Sequence, residues 1–222
     1  MANPEILVRG VGEASVLPDR AILQVIVNGE GATQEQAYAE TAKSVRGVDS
    51  ALDRFADAID KRTTTGLTVL PKHRWKKGES IRAGYRGQRV SVVEVTDLAK
   101  LGELLAELAK ANPSAISGPE WRIDPGNAIH DAVRKQAVED ARRRAASYAE
   151  GLDLNITGIA WVSEPGLRQG IDEQFASMGA AAAGARYRGG QAEEPIEITV
   201  EEIRVRSSVE IAFETQAGSE AI

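Results

Sequence analysis

"ILVRGVGEASVLPDRAILQVIVN", Ile6 to Asn28, holds two β-rich runs separated by the turn-like Leu17-Pro18-Asp19. In the second run Ala21, Leu23, Val25 and Val27 share one parity while Gln24 and Asn28 fall on the other, the alternation of a half-buried strand. The reading is an opening pair of strands. Gly10-Val-Gly12 with Ser15 has the look of a truncated dinucleotide-binding fingerprint, but a Pro-Asp turn and a strand follow where that mechanism needs a helix N-terminus. Glycines that relax a twisted or bulged strand are the simpler account.

Downstream, Thr33-Gln-Glu-Gln36 offers a capping box. Behind it Ala37, Thr41, Val45, Val48, Leu52, Phe55 and Ile59 recur at spacings of four and three, one helical face about seven turns and ~40 Å long. Leu67 to Trp75 and Gln88 to Val95 read as strands joined by "KKGESIRAGYRG", an exposed hairpin connection. Thr96-Asp97 can cap a shorter helix with a stripe of Leu98, Leu101, Leu105 and Leu108, stopped by Asn112-Pro113. A short strand over Ser117 to Ile123 precedes a second long helix carrying Ile129, Val133, Ala137, Ala141, Ala145, Tyr148 and Leu152 on one face. Its small residues predict close packing, and "RKQAVEDARRRA" reads as its solvated side.

Thr157 to Ser163 is a strand, and "PIEITVEEIRVRSSVEIAFE", Pro195 to Glu214, alternates with a change of parity near Glu201-Glu202. One extra residue there restores the face, so a β-bulge is expected in one long last strand. Residues 166–194 have no sustained period and are rich in Gly and Ala, which predicts a flexible loop. Its apolar part "MGAAAAGA" is too short to span a membrane, and Gly189-Gly190 leads into acidic residues rather than the helix start a phosphate loop requires.

The 222 residues suffice for one large domain or two small interlocked ones, burying roughly 70% of the unfolded surface. With no cysteine, disulfides, thiolate metal sites and cysteine nucleophiles are excluded. The start "MANPEILVRG" lacks a basic region followed by an apolar one, so the expected setting is cytoplasmic, without membrane insertion. A net charge of −6 argues against broad nucleic-acid binding.

His73 and His130 belong to no metal-ligand spacing, and no G-x-S-x-G elbow is present. No catalytic, cofactor-binding or metal residue is therefore assigned. The one cationic cluster with an aromatic is "KHRWKK": Lys72, His73, Arg74, Trp75, Lys76 and Lys77. It suits an anionic partner, with Trp75 able to stack on a base, or serves as edge-strand protection.

The run from Ile6 to Glu40, with "TTTGLTVLPKHRW", "GYRGQRVSVVEVTDLAKLGELL", "AVRKQAVEDARRRAASYAEGLDLNITGIAWVSE" and the loop before the last strand, resembles the SIMPL domain family, a domain of unknown function. The resemblance covers about Ile6 to Phe213. It implies an α+β fold of long, mainly antiparallel strands with two long helices and one shorter helix packed on the sheets. Members can form ring-shaped oligomers. Bacterial relatives are usually envelope-associated and linked to stress tolerance, and an animal relative is a kinase adaptor; no catalytic residues come with the family.

The expectation is thus a SIMPL-like domain over 1–222, divisible into interlocked α+β subdomains at about 1–112 and 113–215, the last strand returning to the N-terminal part. Its expected function is a non-enzymatic, self-assembling scaffold or protein-interaction domain, stress-related, needing no cofactor. Candidate surfaces are Lys72 to Lys77 and, in the loop, Arg186, Tyr187 and Arg188. The alternatives are a ligand-binding or enzymatic cleft assembled from distant residues such as Asp19, Glu94, Arg122 and Asp140, and a nucleic-acid binder using Lys72 to Lys77.

Overall fold

The computed structural model describes residues 4–76, 78–167 and 200–217. The fold is α+β, with antiparallel strands in two sheets and three helices. In chain order these are β1 (Glu5–Val16), β2 (Arg20–Gly31), α1 (Gln34–Asp53), β3 (Ile59–Thr64), β4 (Thr68–Lys76) and β5 (Glu79–Val95), followed by α2 (Leu101–Lys110), β6 (Ala115–Arg122), α3 (Ile129–Gly151), β7 (Leu154–Ser163) and β8 (Ile203–Ala217). A 3-10 turn, Leu98–Lys100, leads into α2.

Two compact units result, one of β1, α3, β7 and β8 and one of β2 to β6 with α1 and α2. The opening strands are present but do not pair with each other. In the first unit β8 lies between β1 and β7, with Glu214 opposite Glu5 and Ile203 opposite Val16. In the second, β2 sits between β5 and β6, and β3 and β4 both pair with β5. Pro18-Asp19 is thus a passage between sheets rather than a hairpin turn.

The second core is aliphatic. Leu23, Val25 and Val27 of β2 and Val93 and Val95 of β5 meet Val48 and Leu52 of α1 and Leu101, Leu104 and Leu108 of α2, all essentially inaccessible. Helix α1 starts where its cap residues dictate: Thr33 Oγ1 accepts from Gln36 N at 3.3 Å, and Gln36 Oε1 accepts from Ala32 N at 3.0 Å. It is shorter than the periodicity suggested, about 30 Å. The chain turns at Arg54 to Ala58, and Ile59 opens β3, a strand that the helical reading concealed.

In the first unit α3 packs Ala141, Ala145 and Ala149 against Ile6, Val8, Ile211 and Phe213. The β1–β8 ladder runs without a register shift, so Gly10 and Gly12 do not relax a bulge. They make room: a Cβ on Gly10 would lie 1.9 Å from the Ala137 carbonyl oxygen, and one on Gly12 equally close to that of Val133. The small stripe of α3 therefore rests on strand backbone. Tyr148 and Leu152, expected on the buried face, are exposed, and Ala149 and Asp140 are buried instead. Val11 N donates to Asp140 Oδ2 at 3.0 Å, so one residue of the supposedly solvated side anchors the helix to β1.

The ladder irregularities of β8 fall opposite β7, where Thr157 and Ala160 are the extra residues. Glu201 and Glu202 stand ahead of the strand, which begins at Ile203. The flexible-loop expectation for 166–194 lies almost wholly outside the described residues, as do Lys77 and the part of the last alternating run before Val200.

Candidate interaction surface

β5 is longer than the strands beside it. Its ladder with β2 ends at Gly31 opposite Tyr85, whereas its ladder with β4 continues to Lys76 opposite Glu79. Residues 72–76 and 79–84 therefore form a two-stranded arm beyond the sheet. Residues expected to be a connection, "ESIRAGYRG", are strand, and the turn at the arm's tip contains Gly78 at φ 84°. Gly84, at φ 125° and close against the Gly31 carbonyl oxygen, marks where the arm leaves the sheet.

The arm redistributes the cationic run. Strand alternation puts His73 and Trp75 on one face, across from Arg82 and Ser80, and Lys72 and Arg74 on the other, the latter across from Ile81. Trp75 is 78% exposed, and His73 and Arg74 are exposed beside it. Lys72 is engaged: its Nζ lies 2.6 Å from Glu30 Oε2, and Arg86 Nη2 lies 3.0 Å from Glu30 Oε1. Lys72 first, then Arg86, holds the Glu30 carboxyl below its usual range. The Arg82 guanidinium sits 5.6 Å from the Tyr85 ring centroid, within cation–π reach. The described cations of the arm are thus divided between its two faces. Lys76 ends β4, while Lys77, Arg186, Tyr187 and Arg188 lie outside the described residues. The contribution of Arg82 and Tyr85 was missed by sequence reasoning, although the parity of Ile81, Ala83 and Tyr85 carried a strand signal.

Of the four residues proposed for a distant-residue cleft, Asp140 belongs to the first unit and Asp19, Glu94 and Arg122 to the second. Asp140 is held in the first unit by Val11 N, then by Arg144 and Arg143, and these contacts outweigh burial to keep its carboxyl below the usual range. In the second unit Glu94 pairs with Arg20, and Asp19 N donates to the Arg122 carbonyl oxygen at 3.2 Å. His73 is on the arm, and His130 Nε2 lies 3.1 Å from the Asp124 carbonyl oxygen.

Described residues of the second unit line two open grooves. One, about 570 Å³, runs between the end of α1 and α2 past Arg54, Asp57, Lys100 and Glu107. Its charges are cross-neutralised: Arg54 pairs with Glu107 at 2.7 Å, Lys110 with the same carboxylate, and Lys100 with Asp57. Those lysines hold Asp57 and Glu107 below their ordinary ranges, and Asp57 in turn raises Lys100. Groups tied in this way are poor proton carriers near neutral pH. The other, about 450 Å³, lies between Thr33 at the start of α1 and the Arg82–Tyr85 pair. Among the described residues no helix is long and apolar enough to cross a membrane.

Over residues 6–213 the sequence matches the family model SIMPL, protein of unknown function (DUF541). The chain belongs to the SIMPL family. This SIMPL chain is 28% identical over 149 residues to the uncharacterized protein YggE of Escherichia coli (strain K12), covering 67% of the chain and 61% of that relative. With YggE of Edwardsiella ictaluri the identity is 27% over 155 residues, covering 69% and 65%. With the 26 kDa periplasmic immunogenic protein of Brucella melitensis it is 25% over 165 residues, covering 72% and 66%. The SIMPL chain thus spans less than two thirds of the length of these relatives.

Proposed function

We propose that this chain is a non-enzymatic interaction domain that assembles with copies of itself into a scaffold, with the β4–β5 arm as one contact surface. The carrying observation is the arm, a ribbon beyond the sheet with a 78% exposed indole on one face and exposed Arg74 on the other. Trp and Arg are the side chains that dominate association energies, because each gives a large contact area and a directional polar group. Between Thr68 and Gln88 stand six Lys or Arg and one Glu, in a chain of net charge −6. A basic arm on an acidic chain is complementary to another copy of that chain.

Light scattering during size exclusion, across a dilution series, tests this reading. The expected mass is a multiple of 23.7 kDa that falls when Trp75→Ala and Arg74→Glu are combined. A monomer at every concentration overturns self-assembly; an assembled wild type whose mass the double variant leaves unchanged removes the arm from the contact.

The Brucella relative is a periplasmic protein by name, which supports the periplasm over the cytoplasm as the working compartment, and fractionation of the producing cell decides between them. A stress-related role is supported by the family resemblance. Equal survival of deletion and parent strains under oxidative and heat challenge would remove it.

A further inference from the structure

Edge strands expose unpaired backbone groups, and proteins guard them with charge, proline or bulges. Most edges here are guarded. β4 carries Pro71, Lys72 and Arg74, β3 carries Asp60, Lys61 and Arg62, β6 carries Pro119, Glu120 and Arg122, and β1 carries Glu5, Arg9 and Glu13. β7 differs: "LNITGIAWVS" contains no charged residue and no proline, and among the described residues it pairs only with β8.

Its two extra residues do not close the edge. Ile156, Ile159 and Val162 are three residues apart, a spacing that would alternate between faces in a regular strand. With one extra residue in each interval they stand opposite Thr215, Phe213 and Ile211, all on the face that α3 covers. Helix α3 buries those β8 side chains to 4% exposure or less, yet Ile156, Ile159 and Val162 remain 38%, 47% and 56% exposed. A shelf of three aliphatic side chains thus lies beside the helix along a strand edge that no described strand pairs with.

We infer that β7 is a seam between two copies of this chain, joined antiparallel about a two-fold axis. This deepens the self-assembly reading and rests on it. An antiparallel pair places the same surface on both sides, so any charge on the strand would be brought near its own copy. β7 is the edge without that cost. Its ten residues make a strip about 34 Å long and one sheet thickness, about 10 Å, deep, on the order of 700 Å² for both copies. That is short of the roughly 1,200 Å² of a stable complex. The seam alone is therefore a weak contact, closed at high protein concentration and opened by dilution.

The cysteine-free sequence permits a clean test. Ile159→Cys, near the middle of the strand, is expected to give a covalent dimer on mild oxidation of the assembled protein. Ile159→Lys is expected to raise the dissociation midpoint by about 100-fold, because like charges then meet across the axis. Circular dichroism and melting should stay those of wild type, since the position is nearly half exposed. A wild type that assembles while neither variant shows its effect overturns the seam and leaves self-assembly standing. A wild type that is monomeric throughout overturns both. Protection from hydrogen exchange, at monomeric dilution, of the β7 amides that point away from β8 also overturns the seam, because another part of the same chain then covers the edge.

Discussion

Gly10→Ala asks whether α3 is seated on the β1 backbone. The new Cβ would stand 1.9 Å from the Ala137 carbonyl oxygen, 2.6 Å from Ala141 N and 2.8 Å from Ala141 Cβ. Non-bonded heavy atoms settle at about 3.5 Å or more, so the helix must withdraw by more than about one ångström. The nearest obstacles are backbone atoms that no rotamer change can move. Overpacking of this kind costs about 1–3 kcal/mol. Withdrawal also stretches the 3.0 Å bond from Val11 N to Asp140, and a hydrogen bond to a charged group contributes about 1.5–3 kcal/mol. One displacement produces both losses, so about 3–4 kcal/mol is expected in place of their sum. At about 2–4 °C per kcal/mol for this chain length, melting should fall by about 6–16 °C, read by far-ultraviolet circular dichroism. Gly47→Ala in α1 is the matched comparison, because its Cβ would meet only the Ala111 carbonyl oxygen at 3.9 Å. That variant should be neutral or more stable by up to about 1 kcal/mol. A Gly10→Ala protein melting within about 1 °C of wild type would mean that α3 does not rest where the strand glycines put it.

Gly102→Ala, in the first turn of α2 with open space around the new methyl group, should raise stability by about 0.5–1 kcal/mol in urea titration. A lower midpoint would show an unrecognised contact there. Asp140→Asn probes pH linkage. The carboxyl is held low in the folded protein, chiefly by Val11 N, so its stabilisation is complete above the unfolded value of about 3.9. It is lost as pH falls through the folded value. The wild-type advantage over Asp140→Asn should be full at pH 7 and shrink below about pH 4; an unchanged difference at pH 3 would refute the carboxylate's role.

Local signals in the sequence were reliable where one residue governs one hydrogen bond. Thr33 and Gln36 start α1, and Pro113 follows the end of α2, as their chemistry requires. Helical periodicity overran α1 because Phe55 and Ile59 continue the spacing of three and four residues and no Gly or Pro marks the turn at Arg54 to Ala58. The partners of β1 and β2 were not legible, since pairing β1 with β8 joins residues some 200 positions apart and no local pattern encodes it. For the candidate surface, composition located Trp75 and its cations correctly on a strand but could not tell that the pleat divides them. The β7 shelf left a faint trace, three aliphatic residues at intervals of three; only the register shifts opposite β8 turn that spacing into a single face. Asp140 was hidden among five arginine and lysine neighbours that suggested solvent.

The two proposed contacts differ in physical character, and salt separates them. The arm acts through Arg74 and its cationic neighbours, whereas β7 has no charge to screen. At 1 M salt the Debye length contracts to about 3 Å, which weakens attraction between a basic arm and an acidic neighbour, while apolar burial persists or strengthens. A two-fold seam closes on itself at the dimer, so growth beyond two copies depends on the arm. Raising salt at fixed, high protein concentration should therefore reduce the assembly to dimers rather than monomers, as measured by sedimentation velocity. Ile159→Lys should reverse the pattern by removing the seam and leaving only salt-sensitive species. Dissociation of wild type straight to monomers at high salt would mean that one electrostatic contact holds the whole assembly, and the division of labour between arm and seam would be wrong.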